Sequence, residues 1–232
     1  MNFWANFLTT LSLVCGFISV IFSLEGHFTF ASWSIIFSVI FDGLDGQVAR
    51  LNPLPSEFGK QLDSLVDVVA FGIAPAILGY IFVYKDFYFL GVLALLIYLF
   101  CCVMRLAKYN ITAKEVMDNC FIGLPTTASG GVLASFILIY RRYTQAPPPI
   151  LFLLLVLILA ILMVSKIKYL NLDGLMQLFR TSLIPALIVL LIILLALFIF
   201  YLTTSVLLPE IAILTILALY LVFSPLIAPK IV

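Results

Sequence analysis

The chain is 232 residues long, 65% hydrophobic and 10% charged. That balance excludes an ordinary soluble domain and specifies a polytopic helical membrane protein. A formal net charge of +1 gives no reason to expect a nucleic acid or other polyanion as partner.

From the N-terminus, Met1–Asn6 has no basic residue and the next apolar run has no small-residue cleavage site, so a cleaved signal peptide is not expected. The apolar runs predict eight membrane spans. The first covers about Phe7–Leu24. Glu25-Gly26-His27 makes a short turn, in which His27 has no special role. The second span covers Phe28–Ala49. Asn52-Pro53-Leu54-Pro55 must end that helix. The third span covers Phe58–Tyr84, and Lys85-Asp86 marks a loop. The fourth covers Phe87–Leu106, followed by a polar segment from Arg105 to Asn119. The fifth covers Phe121–Tyr140, and Arg141–Pro149 breaks the helix. The sixth covers Ile150–Ser165, the seventh Leu183–Thr203 and the eighth Val206–Phe223. No repeat or soluble domain is visible. The cysteines Cys15, Cys101, Cys102 and Cys120 lack metal-ligand spacing and read as inert, buried thiols.

One stretch breaks the apolar pattern. Asp42, Asp45, Glu57, Asp63 and Asp67 are five of the chain's eleven acidic residues. A charge within a membrane span costs about 2.5–3.5 kcal/mol on insertion scales and normally has a function or a partner. Only Arg50 and Lys60 are near enough in sequence to offset the cluster. Asp42 and Asp45 are three apart and share a helix face with Gly46 and Ala49. Asp63 and Asp67 are four apart and share a face with Gly59 one turn earlier. The spacing predicts a helical hairpin with two carboxylates from each arm facing one another. Hard oxygen ligands of this kind suit Mg²⁺ or Mn²⁺ held together with a substrate's phosphates. A pair of such ions is one known solution for displacement at phosphorus.

The pattern D-x2-D-G-x2-A-R-x8-G-x3-D-x3-D (Asp42, Asp45, Gly46, Ala49, Arg50, Gly59, Asp63, Asp67) resembles the signature of the CDP-alcohol phosphatidyltransferase family at every position. The resemblance implies an all-α membrane bundle with a six-helix core at 1–180 and about two extra spans at 181–232. It implies that two ions, Mg²⁺ or Mn²⁺, are bound by Asp42, Asp45, Asp63 and Asp67, with Asp67 a metal ligand or the catalytic base. It implies that Asn6, Thr9, Asp45, Gly46, Ala49, Arg50 and Gly59 lie at the CDP group, with Arg50 on phosphate. The family usually has Pro before the residue matched by Asn6, and this chain has Ala5. A homodimer is implied as well.

Asp63–Ala76, Cys101–Asn110 and Phe121–Gly131 resemble the phosphatidylserine synthase branch, so CDP-diacylglycerol is the expected donor and serine the expected acceptor. Arg105 would clamp the acceptor's carboxylate, and Asn110 would hydrogen-bond the acceptor or cap its helix. Glycerol 3-phosphate or inositol phosphate is the alternative acceptor within the family. An intramembrane prenyltransferase fits less well, because its acidic motifs lie in separate halves of a chain. A cation transporter does not account for Gly46, Arg50 and Gly59.

Orientation follows from Lys and Arg. With the aspartates at the cytoplasmic face of the cell membrane, that side holds Arg50, Lys60, Arg105, Lys108, Lys114, Lys166, Lys168, Arg180 and Lys230, and both termini. The other side holds Lys85, Arg141 and Arg142.

Overall fold

A computed structural model describes residues 3–50, 57–83, 88–112, 120–143, 149–170 and 209–227. Its helices are α1 (Phe3–Leu24), α2 (Phe28–Arg50), α3 (Glu57–Asp67), α4 (Ala74–Val83), α5 (Tyr88–Thr112), α6 (Thr126–Tyr143), α7 (Pro149–Val164) and α8 (Pro209–Ile227). A π-helical stretch, Val68–Ile73, joins α3 to α4, and two short strands, β1 (Cys120–Ile122) and β2 (Lys168–Leu170), pair antiparallel. Phe3–Leu24, Phe28–Ala49, Glu57–Val83 and Phe89–Ile111 are each long and apolar enough to cross a bilayer. The chain is a multi-pass helical membrane protein.

The bundle is small and partly polar inside, with large apolar side chains outside. The buried face of α1 is Ala5, Thr9, Ser12, Gly16, Ser19 and Ser23. The spacing alternates between four and three, which is the seam of a left-handed helix pair. Phe7, Val14, Phe17 and Ile21 point outward, where lipid accepts them at no cost. Small residues let the backbones of membrane helices approach. The seam closes on α2 through Ser12 and Ser38, whose hydroxyls lie 2.6 Å apart, and Ser38 also donates to the Ser12 carbonyl at 3.0 Å.

The π-helical stretch is clasped from three sides. A Cβ on Gly16 of α1 would come within 2.8 Å of the Ala70 Cα, and one on Gly130 of α6 within 3.1 Å of the Phe71 side chain. The Tyr98 hydroxyl of α5 donates to the Phe71 carbonyl at 2.8 Å and accepts from Ser129 at 3.1 Å. A π turn alters the ordinary helical ladder, and Tyr98 gives one of its carbonyls a partner. Helix α6 lies against α2, α4 and α8, which explains why its sequence is rich in Ser, Gly and Ala.

Several boundaries differ from the sequence reading. Helix α1 begins at Phe3. Helix α5 continues to Thr112, so Arg105–Thr112 is helical and not part of a polar loop. Its polar side chains Arg105 and Asn110 find partners on α6 and α3, so the helix need not end there. The fifth span begins at Thr126 and not at Phe121. Gly123 takes φ +79°, and Phe121 pairs with Tyr169 across the small sheet. The Pro125 carbonyl then accepts from Ser129 N at 3.1 Å and opens α6. The two strands were not expected. The turn at Asn52–Pro55, the Lys85-Asp86 loop and the seventh span lie outside the described residues. The eighth span appears as α8. Cys15, Cys101 and Cys102 are free thiols; Cys102 is buried as expected, whereas Cys15 and Cys101 are only partly buried.

Candidate active site

The two arms of the acidic stretch meet. One carboxylate oxygen from each of Asp42, Asp63 and Asp67 lies within 4.8 Å of the others. Asp42 and Asp67 approach closely enough to share a hydrogen bond. Asp42 comes from the last turns of α2, and Asp63 and Asp67 from one face of α3, as their spacing requires. Two touching carboxylates cannot both stay ionised without a proton or a cation between them. Asp67 is buried, and its Oδ1 has no partner. Hard oxygen donors, crowding and an unpartnered buried oxygen together fit a divalent cation.

Asp45 belongs to the same acidic group but turns toward α1. It is buried, and its Oδ2 accepts from the Thr9 hydroxyl at 2.6 Å. That distance marks a charge-assisted bond. The pairing of Thr9 with Asp45 follows from the close α1–α2 seam. Asn6 is half-buried one turn before Thr9. Gly46 borders open space, with no atom within 4 Å of where its Cβ would stand, and Ala49 is exposed on the same side. A bulky planar group therefore has room beside this face of α2. Gly59 is half-buried on α3. The side chain of Arg50 lies outside the described residues.

A cationic partner comes from α5. Arg105 Nη1 donates to the Thr126 hydroxyl at 3.2 Å, and Thr126 donates to Asp67 Oδ2 at 3.0 Å. Arg105 lies 5.6 Å from the Tyr109 ring centre and 6.0 Å from that of Phe121. These two rings restrain the guanidinium, and its buried Nε has no hydrogen-bond partner. Thr126 is the first residue of α6, so the positive end of that helix dipole also faces the acidic group. Asn110 donates from Nδ2 to Ser64 Oγ at 2.9 Å, and Lys60 Nζ donates to the Asn110 carbonyl at 3.3 Å. Asn110 lies inside α5 and ties it to α3 at Ser64, the residue after Asp63, so it does not cap the helix.

Thr126 and Ser64 were not singled out from the sequence. The only available signal for Thr126 was a polar residue opening a helix of small residues directly after Gly-Leu-Pro.

A polytopic helix bundle that gathers three carboxylates and an arginine offers a site compatible with a charged group and a divalent cation. Residues 2–167 match the family described as CDP-alcohol phosphatidyltransferase, and the chain belongs to that family of membrane transferases. Among curated relatives, it is 35% identical over 168 residues to the CDP-diacylglycerol–serine O-phosphatidyltransferase of Helicobacter pylori (strain ATCC 700392 / 26695), covering 72% of this chain and 71% of that one. It is also 35% identical over 170 residues to the protein of the same name from Bacillus subtilis (strain 168), covering 73% and 90%. It is 32% identical over 173 residues to the archaetidylserine synthase of Methanothermobacter thermautotrophicus, covering 73% and 70%.

Proposed function

We propose that the chain transfers the phosphatidyl group of CDP-diacylglycerol to the hydroxyl of serine, forming phosphatidylserine and releasing CMP. The observation that carries this reading is a cationic group from α5 placed one hydroxyl away from the acidic cluster. The names of the bacterial relatives support serine as acceptor.

Asp42, Asp45, Asp63 and Asp67 would hold two divalent ions, Mg²⁺ or Mn²⁺, which when bound neutralise charge on the pyrophosphate oxygens. The remaining steps belong to the chain's own residues. The open face of α2 at Gly46 and Ala49 receives the cytidine. Asn6, Thr9 and Gly59 border it, and Arg50 holds phosphate. Thr9 fixes Asp45 against that face. The Arg105 guanidinium pairs with the serine carboxylate, and Asn110 keeps α5 against α3 at the acceptor side. The serine hydroxyl oxygen forms a bond to the phosphorus carried by the lipid. The bond from that phosphorus to the CMP oxygen breaks. Where Asp67 serves as base and not as a metal ligand, the hydroxyl proton passes to its buried Oδ1, which has no hydrogen-bond partner.

The Lys and Arg distribution supports a cytoplasmic site. Lys60, Arg105 and Lys108 lie at its end of the bundle, and Lys166 precedes and Lys168 opens the strand that pairs with the one leading toward Thr126. Arg141 lines a cavity at the other end with Leu24, Glu25 and Phe82. The family resemblance further favours a homodimer and a core at 1–180 with a helical extension at 181–232.

The test is CMP release by purified protein with CDP-diacylglycerol and Mn²⁺ or Mg²⁺. Serine should drive release. Release with glycerol 3-phosphate or inositol phosphate, and not with serine, would reassign the acceptor. The archaeal relative gives a second reading of the donor as an ether-linked CDP-lipid. Parallel reactions with diacyl and diether donors separate the two.

A further inference from the structure

We infer that Thr126 is a positioning residue of the transfer reaction, joining the acceptor-side cation to the carboxylate that takes the proton. The inference rests on the phosphatidyl-transfer reading for its reaction. Its geometry is independent of which acceptor is used.

The argument begins with hydrogen-bond direction. A guanidinium has donors only. Arg105 Nη1 lies 3.2 Å from the Thr126 hydroxyl, so that oxygen must accept. Its single hydrogen is then directed to Asp67 Oδ2, 3.0 Å away. With Asp67 ionised, as the base must be before it takes the proton, this is the assignment that satisfies both contacts. Asp67 Oδ2 is thereby occupied as an acceptor, and the carboxylate cannot rotate freely. Oδ1 is left as the oxygen without a partner, and it is buried. Thr126, together with the neighbouring Asp42, thus holds Oδ2 and leaves Oδ1 as the oxygen available to the reactants.

The position of Thr126 is itself fixed. Its side chain is 1% exposed. Pro125 accepts the first hydrogen bond of α6, and the Leu124 amide donates to the Leu162 carbonyl at 3.0 Å. A hydroxyl at the rigid start of a buried helix is a better guide for a carboxylate than one on a loop. Burial also excludes water as a substitute donor.

Thr126→Val keeps the shape and removes the hydroxyl, and Thr126→Ser keeps the hydroxyl. Both are measured in full-length protein in detergent with Mn²⁺, CDP-diacylglycerol and serine, or with whichever acceptor the wild-type protein uses. Thr126→Val should lower kcat by roughly 10- to 100-fold, less than the ~10²–10⁴-fold expected for losing the base itself, because Asp67 remains. The acceptor KM should rise several-fold while the CDP-diacylglycerol KM stays within about twofold, because only the acceptor side loses its tie. Thr126→Ser should restore kcat to within about threefold of wild type. The pair Thr126→Val with Arg105→Gln should be less than additive, since both break one chain of contacts. The inference is overturned if Thr126→Val keeps wild-type kcat and KM. It is also overturned if Thr126→Ser is as impaired as Thr126→Val with an equal loss of thermal stability, which would mark a packing role. Should Thr126→Val not accumulate as folded protein, Thr126→Ser and Thr126→Ala decide the matter by the same comparison. Failure of serine as acceptor would appear in the wild-type protein and leaves the Thr126 comparison intact.

Discussion

Asp67→Asn tests the acidic cluster from two sides at once. In the folded protein three carboxylate oxygens lie within 4.8 Å of one another. At that separation two unit charges repel by about 3.5 kcal/mol for an effective dielectric constant of 20. Asp67 takes part in two of the three pairs, so full ionisation sets about 7 kcal/mol or more of repulsion against its charge, which a proton or a cation relieves in part. The wild-type protein should therefore be destabilised by EDTA and stabilised by Mn²⁺. Saturation at 100 times Kd adds about 2.7 kcal/mol. Asn at position 67 removes the repulsion and a ligand together. The variant should melt higher than wild type in EDTA, gain less from Mn²⁺, and still bind CDP-diacylglycerol. Its CMP release should fall by about 10²–10⁴-fold, the usual range for a lost general base. The assay pairs thermal melting in detergent, with and without Mn²⁺, with CMP release. Turnover within threefold of wild type, or an unchanged response to EDTA, would refute the reasoning.

Three further outcomes are expected. Thr9→Val breaks the 2.6 Å bond to Asp45, a charged hydrogen bond worth about 1.5–3 kcal/mol. The KM for CDP-diacylglycerol should rise by tenfold or more, with the serine KM unchanged, in initial-rate measurements. Arg105→Gln should raise the serine KM at least about tenfold while donor KM is little altered, as read from serine titrations. Gly16→Leu forces a side chain against the Ala70 backbone, where even a Cβ would stand 2.8 Å from Cα. Overpacking of this kind costs about 1–3 kcal/mol. The variant should show a lower Tm and reduced turnover, although Gly16 lies two turns from Thr9.

The acidic site was legible because its residues are local. Asp42 and Asp45 on one helix, and Asp63 and Asp67 on the next, are placed by helical periodicity alone. The prolines between them require a turn. The sequence could not show that Asp45 turns to Thr9, because that contact depends on how closely two helices pack 36 residues apart. Thr126 is 59 residues from Asp67, and no periodicity links them. Arg105 was found because a charge beside an apolar run is conspicuous, but its helix was ended too early. Polar residues from Arg105 to Asn110 look like a loop unless their partners on α3 and α6 are known. The small sheet was equally hidden. Its strands are three residues long and lie 46 positions apart, from Ile122 to Lys168.

The six-residue π-helical stretch between Asp67 and Ala74 has a further consequence. In an α-helix each residue turns the chain by about 100°. Removing one residue from Val68–Ile73 would rotate α3 by that angle relative to α4. Asp63 and Asp67 would then be turned away from Asp42 while every amino acid in the two helices remained the same. The aim of the two carboxylates is therefore encoded as a count of residues as well as in the close packing of Ala70, Phe71 and Gly72.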